Sequence, residues 1–225
     1  MTKEQNFQTA EKQSLNIPGV SRCPSSIVYL EDCVQGLKRF VDNYFDVAIV
    51  DPPYGIGRSG QTETFTKNSK HKRKHFADKG WDYEKPTSEY WQELFRVSKN
   101  QIIWGANYFT DYLPASMGWI FWDKGQDLSM SDGELAYTSF DKALRRVIIN
   151  RGQLMVEGGT IHHDWLIKNY CADANLILDT HVGSGSIRIS ASKAGKQFIG
   201  FEIDPEYYEK QEKRFKNFSL QQRLF

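Results

Sequence analysis

Short apolar runs alternate along the chain with stretches whose apolar positions recur at helical spacing. Ser26 to Leu30 reads as a strand, and Val34, Leu37, Phe40 and Val41 follow it at helical intervals. Phe45-Asp46-Val47-Ala48-Ile49-Val50 is nearly all apolar, as a strand buried on both faces would be, and Pro52-Pro53 stops it. From Gly55 to Gly80 the chain is polar, glycine-bearing at its start and basic in its middle, which predicts a long loop. A helix is expected over Ser88 to Val97, with Trp91, Leu94 and Phe95 on one face. Strands are then expected at Gln101–Trp104, ended by Gly105, and at Trp119–Trp122, ended by Asp123-Lys124-Gly125. Two further β-like runs cover Glu134–Phe140 and Arg146–Asn150, and Gly152 to Gly159 leads into a helix holding Trp165, Leu166, Ile167 and Tyr170. The last part is the most regular. Strand Leu176–Leu178, a glycine-rich turn, helix Ile187–Ala194, strand Phe198–Phe201 and helix Glu206–Phe215 form a βαβα unit. Strands alternating with helices predict an α/β fold with a mostly parallel sheet between two helix layers. The expected organisation is a polar lead-in at 1–20, one domain at 21–218 with a mobile basic loop at 55–80, and a tail at 219–225.

Composition narrows the class. Of 225 residues, 40% are hydrophobic and 25% charged, as in a globular domain, and no apolar run approaches a membrane span. The first residues carry no secretory apolar core, so a cytoplasmic protein is expected. Cys23, Cys33 and Cys171 are odd in number and lack metal-ligand spacing, which reads as reduced thiols. A net charge of +1 gives no global field for a polyanion, so any nucleic-acid contact must come from local clustering. One cluster exists. Lys67, Lys70, Lys72, Arg73 and Lys74, with His71 and His75 among them, stand in the long loop, either as a solvated run or as phosphate contacts.

Two segments carry chemistry. Asp179-Thr180-His181-Val182-Gly183-Ser184-Gly185-Ser186 lies where a buried strand hands over to a helix, and its glycines let the backbone bend tightly against a ligand. Glu202 ends the next strand, where a nucleotide-binding fold places an acid on ribose hydroxyls. No Lys-Ser/Thr follows the glycines, which argues against a triphosphate, and Ile189 stands where a dinucleotide fold wants a third glycine. A nucleoside without phosphate fits better, S-adenosylmethionine being one; the bland alternative is an ordinary glycine turn.

Asp51-Pro52-Pro53-Tyr54 follows the buried strand, at the sheet edge where open α/β sheets bind ligands. The prolines fix φ and remove two backbone donors, leaving the Asp51 carboxylate and the Pro52 carbonyl as acceptors. An exocyclic amino group offers two N–H donors to such a pair. Its lone pair is conjugated into the base ring, and acceptors on both hydrogens favour a more pyramidal nitrogen able to attack a sulfonium methyl. Tyr54 adds a ring for a base taken out of the helix.

Together these residues resemble the N6-adenine/N4-cytosine DNA methyltransferase family, over about Ser26 to Phe215. The order, catalytic motif first and cofactor loop last, is that of the family's permuted beta branch; such a permutation is tolerable if the two strands lie side by side. Phe45–Gly57, Trp104–Phe109, Trp119–Gly125 and Glu134–Asp141 look like short phage- and prophage-type members. The resemblance implies a three-layer Rossmann-like S-adenosylmethionine-dependent methyltransferase fold, mostly parallel with an antiparallel strand. It implies that Asp51, Pro52, Pro53 and Tyr54 are catalytic or base-binding, and that Asp179, Gly183, Gly185 and Glu202 hold S-adenosylmethionine. Asp32, His181, Ser186 and Asp204 complete the candidate cofactor set, and Lys70, Lys72, Arg73 and Lys74 the candidate DNA contacts; no metal is expected. The substrate implied is double-stranded DNA methylated on adenine N6, because Asp leads the motif where N4-cytosine members more often begin with Ser.

The chain departs from the family at Leu154–Gly159, where Leu-Met-Val-Glu-Gly-Gly replaces a His-Pro-Thr-Gln-Lys-Pro-like segment that walls the cofactor pocket. It also lacks room for a large target-recognition insert. Alternatives therefore stay open: an N4-cytosine enzyme, a cofactor-impaired DNA-binding relative, or an RNA-directed enzyme. His162-His163-Asp164 reads as structural, since adjacent histidines on a helix point apart. Trp104, Trp119 and Trp122 read as core. Gln221-Gln222-Arg223-Leu224-Phe225 resembles the short peptides that dock replication proteins on the sliding clamp, or else is a tail packing back on the domain. A homodimer is a further expected assembly.

Overall fold

A computed structural model describes residues 25–57, 80, 82–125, 131–150, 152–153 and 159–222. The lead-in at 1–20, Lys70, Lys72, Arg73 and Lys74, residues 154–158 of the departing segment, and residues 223–225 of the tail lie outside the described residues.

Among the described residues eight strands form one sheet: β1 (Ser26–Leu30), β2 (Phe45–Val50), β3 (Ser98–Trp104), β4 (Trp119–Asp123), β5 (Gly133–Thr138), β6 (Arg145–Ile148), β7 (Leu176–Asp179) and β8 (Gln197–Glu202). Their order is β1-β8-β7-β2-β3-β5-β4-β6. Strand β5 pairs antiparallel with both β3 and β4, and every other pairing is parallel. This is the mostly parallel sheet with an antiparallel strand that the sequence predicts. Helices α1 (Cys33–Leu37), α2 (Ser88–Val97), α3 (Ile161–Tyr170) and α4 (Ser186–Lys193) lie between strands, and α5 (Pro205–Gln222) follows β8.

The sheet's two faces bury separate apolar groups. Val47 and Ile49 of β2 pack with Leu166 and Ile167 of α3 and with Ile187 and Ala191 of α4. Ala48 and Val50 pack with Leu37 of α1 and with Tyr90, Trp91 and Leu94 of α2. Burial on both faces is why β2 has no polar alternation, and it produces the three layers.

From β2 the chain crosses through α2 to β3 on one side, whereas from β7 it crosses through α4 to β8 on the other. The direction of travel therefore reverses between β2 and β7, and a crevice opens at their carboxyl ends. Their direct contact is brief: Val47 aligns with Ile177, and Ala48 with Leu178. Asp46 reinforces it from the opposite end, where its Oδ2 accepts from the backbone N–H of Asn175 (2.8 Å) and Leu176 (3.1 Å) while Oδ1 accepts from Lys99 Nζ at 2.7 Å.

Several element boundaries differ from expectation. Strand β3 begins at Ser98, not Gln101, because α2 runs straight into it. The Ser98 hydroxyl donates to the Leu94 carbonyl at 2.5 Å, and Gln101 Nε2 donates to the Ser98 carbonyl at 2.7 Å, so polar side chains absorb the abrupt end of the helix. Helix α1 stops at Leu37, with Phe40 buried by a tighter turn and Val41 left exposed. Helix α5 runs on to Gln222.

Burial alone would raise the Asp46 pKa, but the Lys99 hydrogen bond and the two backbone amides outweigh it and hold the carboxyl below its ordinary value. Its stabilisation is thus present above about pH 4 and is lost as pH falls through the lowered folded-state value. Asp46→Asn is expected to cost about 2 kcal/mol in urea denaturation at pH 7, and much less at pH 3. An equal cost at both pH values would exclude the ionic clasp.

Candidate active site

Asp51 extends β2 by one residue into the crevice. Two amides hold the turn after it: Tyr54 N–H and Gly55 N–H donate to the buried Asp82 Oδ1 at 2.6 and 3.1 Å. The Gly57 N–H donates to the Asp82 carbonyl at 2.8 Å. Prolines 52 and 53 cannot donate, so the segment turns its N–H groups toward Asp82 only beyond them.

Tyr54 is fixed on three sides. Its hydroxyl donates to Asp51 Oδ1 at 2.7 Å, and its ring stacks on Tyr108 with centroids 4.9 Å apart and 13° between planes. It also lies on the backbone of Gly105, which follows β3 at φ +63° and where a Cβ would come within 2.1 Å of Tyr54 Cε1. Only glycine satisfies both the left-handed backbone and the ring contact.

Asp51 is exposed as a residue, while protein groups crowd its carboxyl on the Tyr54 side. That desolvation pushes its pKa up to about 6, opposed by the Tyr54 hydrogen bond and aided by the charges of Glu134 and Asp82. Glu134 in turn pairs with Lys124 Nζ at 2.5 Å, at the same edge of the sheet.

Across the switch point, Asp179 ends β7 and is almost completely buried, with Oδ1 accepting from the His181 N–H at 3.0 Å. Burial pushes its pKa up to about 8 against that bond, and Asp51 and Glu202 add to the rise. Gly183 and Gly185 both have positive φ, at +51° and +75°, and Gly185 leads directly into α4. The Gly183 N–H donates to Glu202 Oε2 at 2.8 Å and the Asp204 N–H to Oε1 at 2.9 Å, so the acid ending β8 is tied to the glycine turn.

The remaining candidates divide. Ser186 at the start of α4 has its hydroxyl 3.0 Å from that of Ser184 and accepts from Arg214 Nη1 at 2.9 Å. Asp32 caps α1, accepting from the Gln35 N–H at 2.9 Å, and Asp204 caps α5, accepting from the N–H groups of Glu206 and Tyr207. Those two carboxylates serve helix ends in this arrangement. His162 stacks on Trp122 at 4.9 Å and His163 is buried, and burial lowers the pKa of both. Among the described residues no group of three or more His, Cys, Asp or Glu is placed to hold a metal ion.

Sequence reading missed Asp82, Gly105, Tyr108, Glu134 and Lys124. Asp82 is 28 residues from the Tyr54 amide it binds, and no local pattern links them. Gly105 and Tyr108 offered a faint signal, a glycine closing a strand with an aromatic just beyond it.

Comparison with known proteins gives a partial sequence match and a shared fold. The sequence model described as DNA methylase matches residues 164–213. No curated protein matches the chain. Among solved structures, the complex of M1.HpyAVI with SAM aligns at TM-score 0.58 and 19% identity, covering 84% of this chain and 98% of that one. The putative DNA modification methylase TTHA0409 of Thermus thermophilus, complexed with S-adenosyl-L-methionine, aligns at 0.55 and 14%, covering 85% and 93%. PvuII DNA methyltransferase, cytosine-N4-specific, aligns at 0.52 and 12%, covering 85% and 86%. At such identities the likeness concerns the fold.

Gly105→Ala is expected to lower stability by about 1–3 kcal/mol through backbone strain, and further through the Tyr54 ring. In a Tyr54→Ala background the steric part should vanish and the backbone part remain. Equal costs in both backgrounds, read by urea denaturation, would exclude the ring contact. The chain thus matches the DNA methylase sequence model over residues 164–213 and shares the fold of these three structures over most of its length.

Proposed function

We propose that the protein is an S-adenosylmethionine-dependent DNA methyltransferase acting on the exocyclic amino group of a flipped base, with adenine N6 as its target. The observation that carries this reading is the meeting of Asp51 and Asp179 at the carboxyl ends of adjacent strands, each followed by its own binding turn.

The residues at the glycine turn fit the cofactor. Nothing lies closer than 3.8 Å to a Cβ built on Gly183, apart from its chain neighbours, so the turn leaves room for a ligand against its backbone. The buried Asp179 carboxyl has no cation paired with it among the described residues, which suits a ligand that brings positive charge. Asp179, Gly183, Gly185 and Glu202 would hold S-adenosylmethionine, which supplies a methyl group on a sulfonium.

At the other turn, the Asp51 carboxylate and the Pro52 carbonyl accept the two amino hydrogens and orient the nitrogen lone pair toward the methyl. Tyr54 already occupies Asp51 Oδ1, so Oδ2 is the oxygen left for the base. An amino nitrogen that gains a methyl group must lose a proton. A carboxylate whose pKa lies near 6 accepts it more readily than an ordinary aspartate. Asp at the head of the motif favours adenine; the cytosine-N4 specificity of PvuII methyltransferase keeps cytosine as the outcome to be distinguished.

Tritiated methyl transfer onto duplex DNA, single-stranded DNA and RNA, followed by nucleoside analysis, tests the reading. Label in N6-methyladenine on duplex DNA is expected. Label in N4-methylcytosine would overturn the base assignment, and label confined to RNA the substrate. Asp51→Ala should reduce transfer by at least about 10²–10⁴-fold. In the wild type, kcat/KM should fall as pH drops through about 6, because the base form of Asp51 is lost. Tyr54→Phe removes the bond that holds that pKa down, so the acid limb should move to higher pH; an unmoved limb would contradict the role of Asp51.

A further inference from the structure

Behind the glycine turn runs a chain of polar atoms that the mechanism above does not use. The Tyr90 hydroxyl, on α2, lies 2.8 Å from Thr180 Oγ1, and Oγ1 lies 2.9 Å from His181 Nδ1. Tyr90 and Thr180 are each 2% exposed, so their hydroxyl protons must find acceptors inside the protein. The Tyr90 ring also meets the His181 ring edge-on at 5.5 Å, which fixes the imidazole plane.

The proton accounting has one solution. Two buried hydroxyl protons need two acceptors, and no other partner of either hydroxyl is present among the described residues. If His181 carried its proton on Nδ1 and donated to Thr180, one hydroxyl proton would be stranded. It would be that of Tyr90 if Thr180 donates to the phenol oxygen, and that of Thr180 if Oγ1 accepts from both sides. Either case leaves a buried donor desolvated and unbonded. With Tyr90 donating to Thr180 and Thr180 donating to Nδ1, every proton is placed. Burial keeps the phenol protonated and lowers the His181 pKa to about 4 against the pull of Asp32, so the ring is neutral and has a tautomer to fix.

We propose that Tyr90 acts through Thr180 to hold His181 as its Nε2–H tautomer, so that the imidazole stands as a fixed hydrogen-bond donor to the ligand seated on the glycine turn. Nε2 has no partner among the described residues, and His181 is only half-buried. Tyr90 and Thr180 are thereby positioning residues; of the three, only His181 touches the ligand. The identity of that ligand as S-adenosylmethionine rests on the functional reading above, whereas the tautomer does not.

The two can be separated in one experiment. Long-range proton–nitrogen spectra of the ¹⁵N-histidine-labelled full chain report which ring nitrogen is protonated. Of five histidines, His181 is assigned by the signal lost in His181→Asn. A single Nε2–H tautomer is expected between about pH 6 and 8. Tyr90→Phe, or Thr180→Val should the first fail to fold, is expected to give a mixture of tautomers. S-adenosylmethionine should shift the Nε2 signal, and Tyr90→Phe should raise its calorimetric Kd about three- to tenfold, the worth of one weakened hydrogen bond. An Nδ1–H or doubly protonated ring in the wild type, or an unchanged tautomer in both variants, would overturn the proposal. Cofactor that binds without moving the His181 signal would overturn the donor role while leaving the cofactor reading intact. Absence of binding in the wild type, beside an intact Nε2–H signal, would overturn the cofactor reading and the donor role together, leaving the tautomer.

Discussion

Strands β2 and β7 align at two residue pairs, yet the site is built on their adjacency. They come from opposite ends of the sequence, and the chain leaves them in opposite directions, so the connections that would normally cover a strand's carboxyl end diverge. What remains is a crevice with Asp51-Pro52-Pro53-Tyr54 on one lip and Asp179 with the glycine turn on the other. Asp46 clasps the same two strands at the far end, so their register is set away from the ligand side. A slip of one residue would turn Asp51 or Asp179 to the opposite face of the sheet.

The crevice concentrates negative charge. Burial with almost no access to water raises the cost of ionising Asp179, and Asp51 and Glu202 add to it, while Glu134 and Asp82 add to that of Asp51. Folding alone gains nothing from this, since a buried unpaired carboxylate is among the more expensive groups a core can hold. A cationic ligand in the crevice would relieve the cost, which is why perturbed carboxyls in a cleft point toward function. Two left-handed glycines and the left-handed Gly105 follow the same logic: backbone held in conformations that only glycine takes easily, where chain and ligand or ring approach closely.

Much of this was legible in the sequence because the decisive signals are local. The apolar run of β2 stopped by two prolines, and the strand–glycine–helix passage at β7, each lie within a few residues, and the βαβα end shows helical and strand periods in turn. The expected side-by-side placement of the two motif strands is what the sheet shows. Residues that act across long separations were not legible. Asp82 anchors the Tyr54 turn from 28 positions away, Tyr108 receives its ring, and Tyr90 reaches Thr180 from 90 positions earlier. The polar start of β3 was hidden for another reason: Ser98, Lys99 and Asn100 carry no strand period, and only pairing with β2 makes them a strand.

In the proposed reading one crevice has two separable lips, one for the cofactor and one for the amino group. Calorimetric titration of S-adenosylmethionine into Asp179→Asn and Asp51→Asn tests it most directly, with circular dichroism to show that both are folded. Binding weakened at least about tenfold is expected in Asp179→Asn. In Asp51→Asn binding should be nearly unchanged, with no methyl transfer to DNA. Equal binding by both variants and the wild type would contradict it.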